Sequence, residues 1–241
     1  MAYFITGGTG FLGRFFIDKL REREGDIYVL TRRGSESKFE ALQERMGEQA
    51  DRLIPVTGDL CQPLLGLDEA TVADLKGNVS HFCHFAAIYD LKASAEAQIA
   101  TNIDGTRNAV QLAEAIDAGC FQHVSSIAAG GLYQGTWRED MFEEAENMEH
   151  PYFATKHDSE GVVRNECKIP WRVYRPGMVV GHSKTGEIDK IDGAYYFFKS
   201  LQKIRNVLPP WFPLVGIEGG KFNVVPVDYV IDAMDHIAHL D

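Results

Sequence analysis

Thr6-Gly7-Gly8-Thr9-Gly10-Phe11-Leu12-Gly13 follows the apolar run Ala2–Ile5 and precedes the amphipathic stretch LGRFFIDKLRERE. An apolar run, then spaced glycines, then helical periodicity predicts a strand, a tight loop and a helix. In that context Gly7 allows the tight turn, Gly10 lets backbone approach a pyrophosphate, and Gly13 lets the helix pack closely. The free N–H groups of the first helical turn, at Phe11 and Leu12, and the positive end of the helix dipole favour an anion there. The rival reading of Thr6 to Gly13 is a structural turn.

Working outward, short apolar runs alternate with longer helical stretches. AYFIT, DIYVLT, LIPVTG, VSHFCHFA, CFQHVSS and WRVYRPG read as strands. LGRFFIDKLRERE, ESKFEALQERMGEQ, residues 94–118 and YFATKHDSEGVVRNE read as helices. Such alternation predicts an α/β, Rossmann-type, doubly wound parallel sheet with right-handed crossovers. Residues 1–177 form the dinucleotide-binding domain in this reading. After residue 177 the pattern changes: GHSKTGEIDKIDG is loop-like, an aromatic-rich stretch follows, and FNVVPVDYVIDAMDHIAHL reads as a strand and helix. Residues 178–241 are therefore expected to be part of a substrate lobe that returns to the core, cut from a longer protein.

The second strand ends at Arg32 and Arg33, and Arg32 lies nineteen residues after Gly13. NAD binders place an acid about 20 residues on, to hold the ribose 2′-OH. A guanidinium instead suits a 2′-phosphate, so NADPH is the expected cofactor. The rival is a pair of solvated arginines. Asp59 and Leu60, in TGDL, are further candidate contacts; Asp59 either accepts from an adenine amino group or caps a helix. Ala86 and Ala87, in HFAA, are small enough for a cofactor to lie close.

Tyr152 and Lys156 lie four residues apart in PYFATKH, on one helical face. A phenol is a poor acid–base catalyst at neutral pH, and a nearby cation lowers its pKa. Ser125 and Ser126 end a strand, where open α/β sheets bind ligands. The cradle, the serine pair and the Tyr–Lys pair together point to hydride transfer to a carbonyl.

Composition narrows the classes. The 241 residues are 45% hydrophobic and 24% charged, enough for one large α/β domain. A net charge of −11 argues against a nucleic-acid partner. Cys61, Cys83, Cys120 and Cys167 are scattered, as expected of reduced thiols in a cytoplasmic protein, and no His/Cys/Asp spacing predicts a metal. No apolar run approaches the ~18 residues of a membrane span, and the chain opens on a strand rather than a leader.

TGGTGFLG, GDL, HFAA, TNIDGTRN, VSS, YFATK and YRPG occur in the order found in the extended short-chain dehydrogenase/reductases, which the chain resembles over most of its length. The resemblance implies that Ser126 is the catalytic hydroxyl, Tyr152 the general acid and Lys156 its partner, which also binds the nicotinamide ribose. It also implies cofactor-side roles for Thr6, Asn102, Pro176 and Gly177; Asn102 is alternatively structural. VLTRRGSESKFEALQER, GDLCQPLLGL, EEAENMEHPYFATKHDSE and YRPGMVVGHSKTGEID are most similar to the N-terminal reductase domain of bacterial alcohol-forming fatty acyl-CoA reductases, which are thioester reductase-like. That closer resemblance implies NADPH-dependent reduction of an acyl-CoA or fatty aldehyde, with a second reductase domain as a partner. Two alternatives stand beside it: an extended-family enzyme on nucleotide sugars, and a non-catalytic NADPH-binding module.

Tyr195, Tyr196, Phe197, Phe198, Trp211 and Phe212 form either a wall for an acyl chain or a lobe core. Lys199, Lys203 and Arg205 either meet a CoA phosphate or form a solvated helix face. The acidic run REDMFEEAENME is assigned no chemistry. His150, His157 and His182 are candidates for substrate contact, although lone histidines are usually structural.

Overall fold

The computed structural model describes residues 1–88, 93–189, 194–209 and 223–240; of residues 194, 196–198 and 201 it gives the backbone course. Six strands form one sheet: β1 (Tyr3–Thr6), β2 (Ile27–Thr31), β3 (Leu53–Thr57), β4 (His81–His84), β5 (Cys120–Val124) and β6 (Trp171–Tyr174). Their order is β3-β2-β1-β4-β5-β6 and every pairing is parallel. The chain runs outward from β1 to β3, then crosses back to β4 on the other side of β1. The crevice for a ligand therefore opens at the carboxyl ends of β1 and β4.

The crossovers are α1 (Phe11–Lys19), α2 (Glu36–Met46), α3 (Glu69–Leu75), α4 (Ala95–Gln98) continuing through a π-helical turn (Ile99–Asp104) into α5 (Gly105–Ala115), and α6 (Pro151–Glu166). Helix α3, absent from the sequence-based expectations, is short and opens on Asp68, whose side chain accepts from the Thr71 N–H at 2.8 Å.

The strands are apolar on both faces because helices cover both faces. Tyr3 and Ile5 point to one side, into a core with Phe16, Ile17, Met46 and Ile231. Phe4 points to the other, where it is in register with Phe82 and Phe121 across three strands. Their rings stack at 4.8 and 5.3 Å. All three are fully buried, and each contributes on the order of 1.5–3 kcal/mol of transfer free energy.

Residues 181–189, part of the stretch expected to be loop, are turns and irregular backbone, and a strand that was not anticipated precedes them. Met178–Val180 is strand β7 and pairs in parallel with β8 (Val224–Pro226). Three residues are too few for alternation to announce a strand. A helix α7 (Ala194–Val207) lies between them, and α8 (Val227–Ala238) returns to the sheet. Val227, Val230, Ile231 and Met234 of α8 enter the core beside α1. At the amino edge of the sheet Arg23 grips Asp235 at 2.7 and 3.1 Å, and the Tyr3 hydroxyl meets His239 at 2.9 Å. Among the described residues no helix is long and apolar enough to cross a membrane.

Candidate active site

The glycine loop is held by backbone. The Gly10 N–H donates to the Gly7 carbonyl at 2.9 Å, and Gly10 then starts α1. Gly7 has φ +70°, and a Cβ there would lie 2.6 Å from the Ala86 nitrogen. Only glycine satisfies both the left-handed turn and this approach of the β4 exit. A Cβ on Gly13 would lie 2.3 Å from the Gly7 carbonyl oxygen, so the close packing at Gly13 is against the turn itself. A Cβ on Gly10 meets only that same oxygen, at 3.2 Å. The first turn of α1, with Phe11 and Leu12, carries no acidic residue and no side-chain cap. Carboxylates of Glu187 and Asp189 approach this end of α1, each paired with Arg14. Thr6, fully buried, does not face the loop: its Oγ1 meets His84 Nδ1 at 2.7 Å and accepts from the Ala86 N–H at 3.4 Å.

Arg32 and Arg33 lie just beyond β2 and are exposed; among the described residues neither makes an ion pair. Asp59 turns on itself, its carboxylate accepting from the Cys61 N–H at 2.9 Å in a local turn, and it does not cap the short helix that follows, which starts after Gln62. Leu60 is buried against Gly105, and its carbonyl accepts from Asn108 at 2.9 Å. Its side chain belongs to the core. Ala86 and Ala87 are half-buried at the β4 exit, and Ala86 lies against Gly7.

Ser126 follows β5 in extended conformation and caps a short turn, accepting from the Ala128 N–H at 3.1 Å. Its side chain lies close enough to the Tyr152 phenol to lower that group's pKa. Tyr152 sits in the first turn of α6. Pro151 pre-sets φ at the helix start, and His150 caps it, with Nδ1 accepting from the Tyr152 N–H at 3.1 Å. Burial pushes the phenol above its usual pKa, and the Ser126 hydroxyl beside it pulls it back. The Lys156 amine, one helical turn on and 5% exposed, donates to the Val124 carbonyl at 3.3 Å. Burial pushes Lys156 down to about 8.

Asn102 is buried in the π-helical turn, a local geometry frequent at functional sites. Its amide grips the backbone of Ile88, accepting at 2.7 Å and donating at 3.1 Å, and reaches Thr155 Oγ1 at 3.3 Å. It therefore fastens the β4 exit to α6. The Pro176 carbonyl accepts from the Ile127 N–H at 3.1 Å, beside Ser126. Gly177 lets Asn223 pack where a Cβ would lie 2.4 Å from its Oδ1.

Several residues were not anticipated. Glu160, fully buried, pairs with Arg175 and Arg164, and Arg175 also donates to the Arg138 and Met141 carbonyls. Glu160 continues the Tyr152–Lys156 spacing by four, a periodicity visible in the chain. His84 is bonded on both nitrogens, to Thr6 and Thr106, and His123 stacks on it at 5.6 Å. Of the three histidines considered for substrate, His150 caps α6, His157 meets the Ala129 carbonyl at 3.0 Å, and His182 accepts from the Lys184 N–H at 3.1 Å. All three are occupied in local structure. The acidic run is a series of turns in which Arg138 pairs with Asp140 at 3.0 Å and Met141 is buried. Lys199, Lys203 and Arg205 are exposed on α7. Tyr195 bonds the Gly181 N–H at 2.7 Å, whereas the side chains of Tyr196, Phe197 and Phe198, and all of Trp211 and Phe212, lie outside the described residues.

Known proteins share this sequence pattern and fold. The family model described as "Male sterility protein" matches residues 5–234. A linear gramicidin synthase of Brevibacillus parabrevis is 33% identical over 253 residues, covering 98% of this chain and 5% of that protein. Fatty acyl-CoA reductase wat of Drosophila melanogaster is 26% identical over 287 residues, covering 96% of this chain and 52% of that protein. Among solved structures, the terminal R domain from the myxalamid PKS-NRPS biosynthetic pathway superposes with a TM-score of 0.80 at 28% identity. That match covers 99% of this chain and 62% of the other, so the chain spans less than two thirds of the length of these relatives. The chain belongs to the Male sterility protein family, as an extended short-chain dehydrogenase/reductase of the fatty acyl-CoA reductase-like and thioester reductase-like kind.

Proposed function

We propose that the chain reduces an acyl thioester, a fatty aldehyde or both toward an alcohol, using NADPH, with Ser126, Tyr152 and Lys156 as the reacting site. The observation that carries this reading is the placing of the Ser126 hydroxyl beside the Tyr152 phenol at the carboxyl end of β5, one helical turn from a buried amine. The cradle fits a dinucleotide. Gly7 and Gly13 exclude side chains, the α1 turn has no side-chain cap, and Arg32 and Arg33 are exposed and, among the described residues, without an ion pair where a 2′-phosphate is expected. Gly10, Phe11, Leu12, Ala86, Ala87, Pro176 and Gly177 are the remaining cofactor-side positions. When bound, the reduced nicotinamide supplies hydride to the carbonyl carbon.

The chain's own residues manage the charge that develops. Ser126 and Tyr152 donate to the carbonyl oxygen as it becomes an oxyanion. A phenol kept protonated by burial has a proton to give, which passes from Tyr152 to that oxygen. From a thioester this yields a hemithioacetal. Its C–S bond then breaks, the hydroxyl proton goes to the departing sulfur, and an aldehyde and a thiol result. From an aldehyde the same proton transfer gives the alcohol. Lys156 supplies positive charge below the phenol and a donor toward the ribose.

The exposed apolar side chains Ile127, Leu132 and Met178 flank the exits of β5 and β6 and suit an acyl chain. Likeness to a protein named as a fatty acyl-CoA reductase, whose named substrate is a thioester, makes a thioester the favoured substrate class. Residues 1–177 are the NADPH-binding part and 178–241 the start of the substrate lobe. A second reductase domain is the expected companion in a longer protein. Four unpaired cysteines fit a cytoplasmic setting.

The test is loss of NADPH absorbance with a long-chain acyl-CoA, a carrier-bound acyl thioester, a fatty aldehyde and a nucleotide sugar in turn. Oxidation with a thioester or aldehyde is expected, and Y152F should abolish it while NADPH still binds. Turnover of the nucleotide sugar alone, or full activity in Y152F, would overturn the assignment.

A further inference from the structure

Arg175 stands one residue past β6, and its guanidinium is turned inward, with the side chain 10% exposed. Nε donates to Glu160 Oε2 at 3.0 Å, and Nη2 to Glu160 Oε1 at 2.5 Å. Nη2 also donates to the Met141 carbonyl at 2.7 Å, and Nη1 to the Arg138 carbonyl at 3.1 Å. The guanidinium lies over the Trp137 ring at 5.2 Å, and that ring packs on Gly130, in the turn that follows Ser126.

Glu160 is the third member of a stripe on α6, four residues after Lys156 and eight after Tyr152, and it is fully buried. Two single bonds also run from α6 to the exit of β5: Lys156 to the Val124 carbonyl at 3.3 Å, and His157 with the Ala129 carbonyl at 3.0 Å. A helix can swing about a single bond. It cannot swing about a carboxylate gripped on both oxygens by a planar fork. The pair therefore fixes the rotation of α6. The residues on either side of Arg175 hold the other half of the site. The Tyr174 carbonyl accepts from the Ser125 N–H at 2.8 Å, and the Pro176 carbonyl from the Ile127 N–H at 3.1 Å. Residues 174–176 thus carry both the helix of Tyr152 and the turn of Ser126. Small rotations matter here. Side chains reach about 5–6 Å from a helix axis, so a turn of about 10° moves a phenol by about 1 Å. A misplacement of about 1 Å can cost on the order of a hundredfold in rate.

We infer that Arg175, acting through Glu160, is a positioning residue for the reduction: it sets the angle at which α6 presents the Tyr152 phenol to the Ser126 hydroxyl, and it registers the 138–141 turn against the same point. The inference rests on the proposed roles of Ser126 and Tyr152.

The experiment compares R175M, R175K and the double variant R175M/E160M in the full 241-residue chain. The double variant leaves no carboxylate buried without its partner, and Arg164, 24% exposed, keeps its place over the Phe142 ring at 4.8 Å. With NADPH and a carbonyl substrate, kcat should fall about ten- to a hundredfold in R175M and at least about tenfold in R175K and the double variant. NADPH binding should stay within about threefold. R175K keeps the charge without the planar fork, so charge alone should not restore the rate. A folded double variant with the wild-type kcat overturns the inference, because the pair then serves stability alone. A second readout needs neither cofactor nor substrate. Amide exchange at Ile127 should quicken in R175K and the double variant relative to Phe4 of β1, which reports the stability of the sheet. An unchanged ratio also overturns the inference. If R175M does not fold, R175K and the double variant decide. Failure here is separable from failure of the functional reading: an active Y152F defeats that reading, whereas the exchange ratio is read whether or not any carbonyl is reduced.

Discussion

Glu160 and Arg175 form a two-pronged ion pair, 2.5 Å between Oε1 and one terminal nitrogen and 3.0 Å between Oε2 and Nε, with Glu160 wholly buried. Through it β6, α6 and the 138–141 turn are joined, because Arg175 also donates to the Met141 carbonyl at 2.7 Å and lies over the Trp137 ring at 5.2 Å. The helix that carries Tyr152 and Lys156 is thereby tied to the segment that carries Pro176 and Gly177. Replacing Arg175 by Met should cost about 3 kcal/mol, near the low end for breaking a buried pair, because Arg164 still reaches Glu160 at 2.7 Å. Urea unfolding measures this. The double variant R175M/E160M should cost clearly less than the sum of the two single changes.

Gly7 tests the cradle. G7A forces a Cβ into the Ala86 backbone at φ +70°. It should destabilise the chain by about 2 kcal/mol or more and weaken NADPH binding beyond detection. Thermal unfolding and fluorescence titration with NADPH read the two effects separately.

Asn102 is predicted to act through the β4 exit. N102A removes both bonds to Ile88 and the contact with Thr155, leaving half-buried backbone groups unpaired. A loss of about 2–3 kcal/mol is expected, together with faster amide exchange at Ile88. Hydrogen exchange checks the site of the effect. An unaltered Ile88 amide would refute the fastening role.

Cofactor choice is predicted to lie in Arg32. R32S should weaken NADPH binding about ten- to a hundredfold, as expected for loss of a charge-assisted contact, and leave NADH binding within about threefold. Equal losses for both cofactors would remove Arg32 from the 2′-phosphate site.

Stability and activity should move oppositely in alkali. Lys156 loses its proton at about 8 when folded and near its ordinary value of 10.5 when unfolded. Between those values the unfolded chain holds more protons, so this group makes the fold more stable as pH rises. Activity needs the ammonium and should fall over the same range. The difference in unfolding free energy between wild type and K156M, taken at each pH, isolates the contribution of this amine. A flat difference would contradict its buried position.

The six strands of the sheet were legible because each is a short apolar run bounded by turn residues, and a parallel sheet covered on both faces needs no alternation. The glycine loop was legible for a steric reason: Gly7 and Gly13 each stand where a side chain would meet backbone. Strand β7 was not, since Met178–Val180 is defined by its pairing with β8, some forty residues away. The same holds for the electrostatics of α6. Spacing by four put Tyr152 and Lys156 on one face, yet said nothing of depth, and depth brings the amine to the Val124 carbonyl.

By itself the chain determined the order of elements, the dinucleotide cradle and the pairing of a phenol with an amine on one helix, because these rest on contacts within about eight residues of sequence or on backbone sterics. Only the tertiary structure decided that Ser126 lies beside Tyr152, that Glu160 is neutralised by Arg175 and that Lys156 reaches the Val124 carbonyl. Those relationships join residues from separate strands and helices. Burial, which sets the charge each of them carries, is a property of packing and not of local sequence.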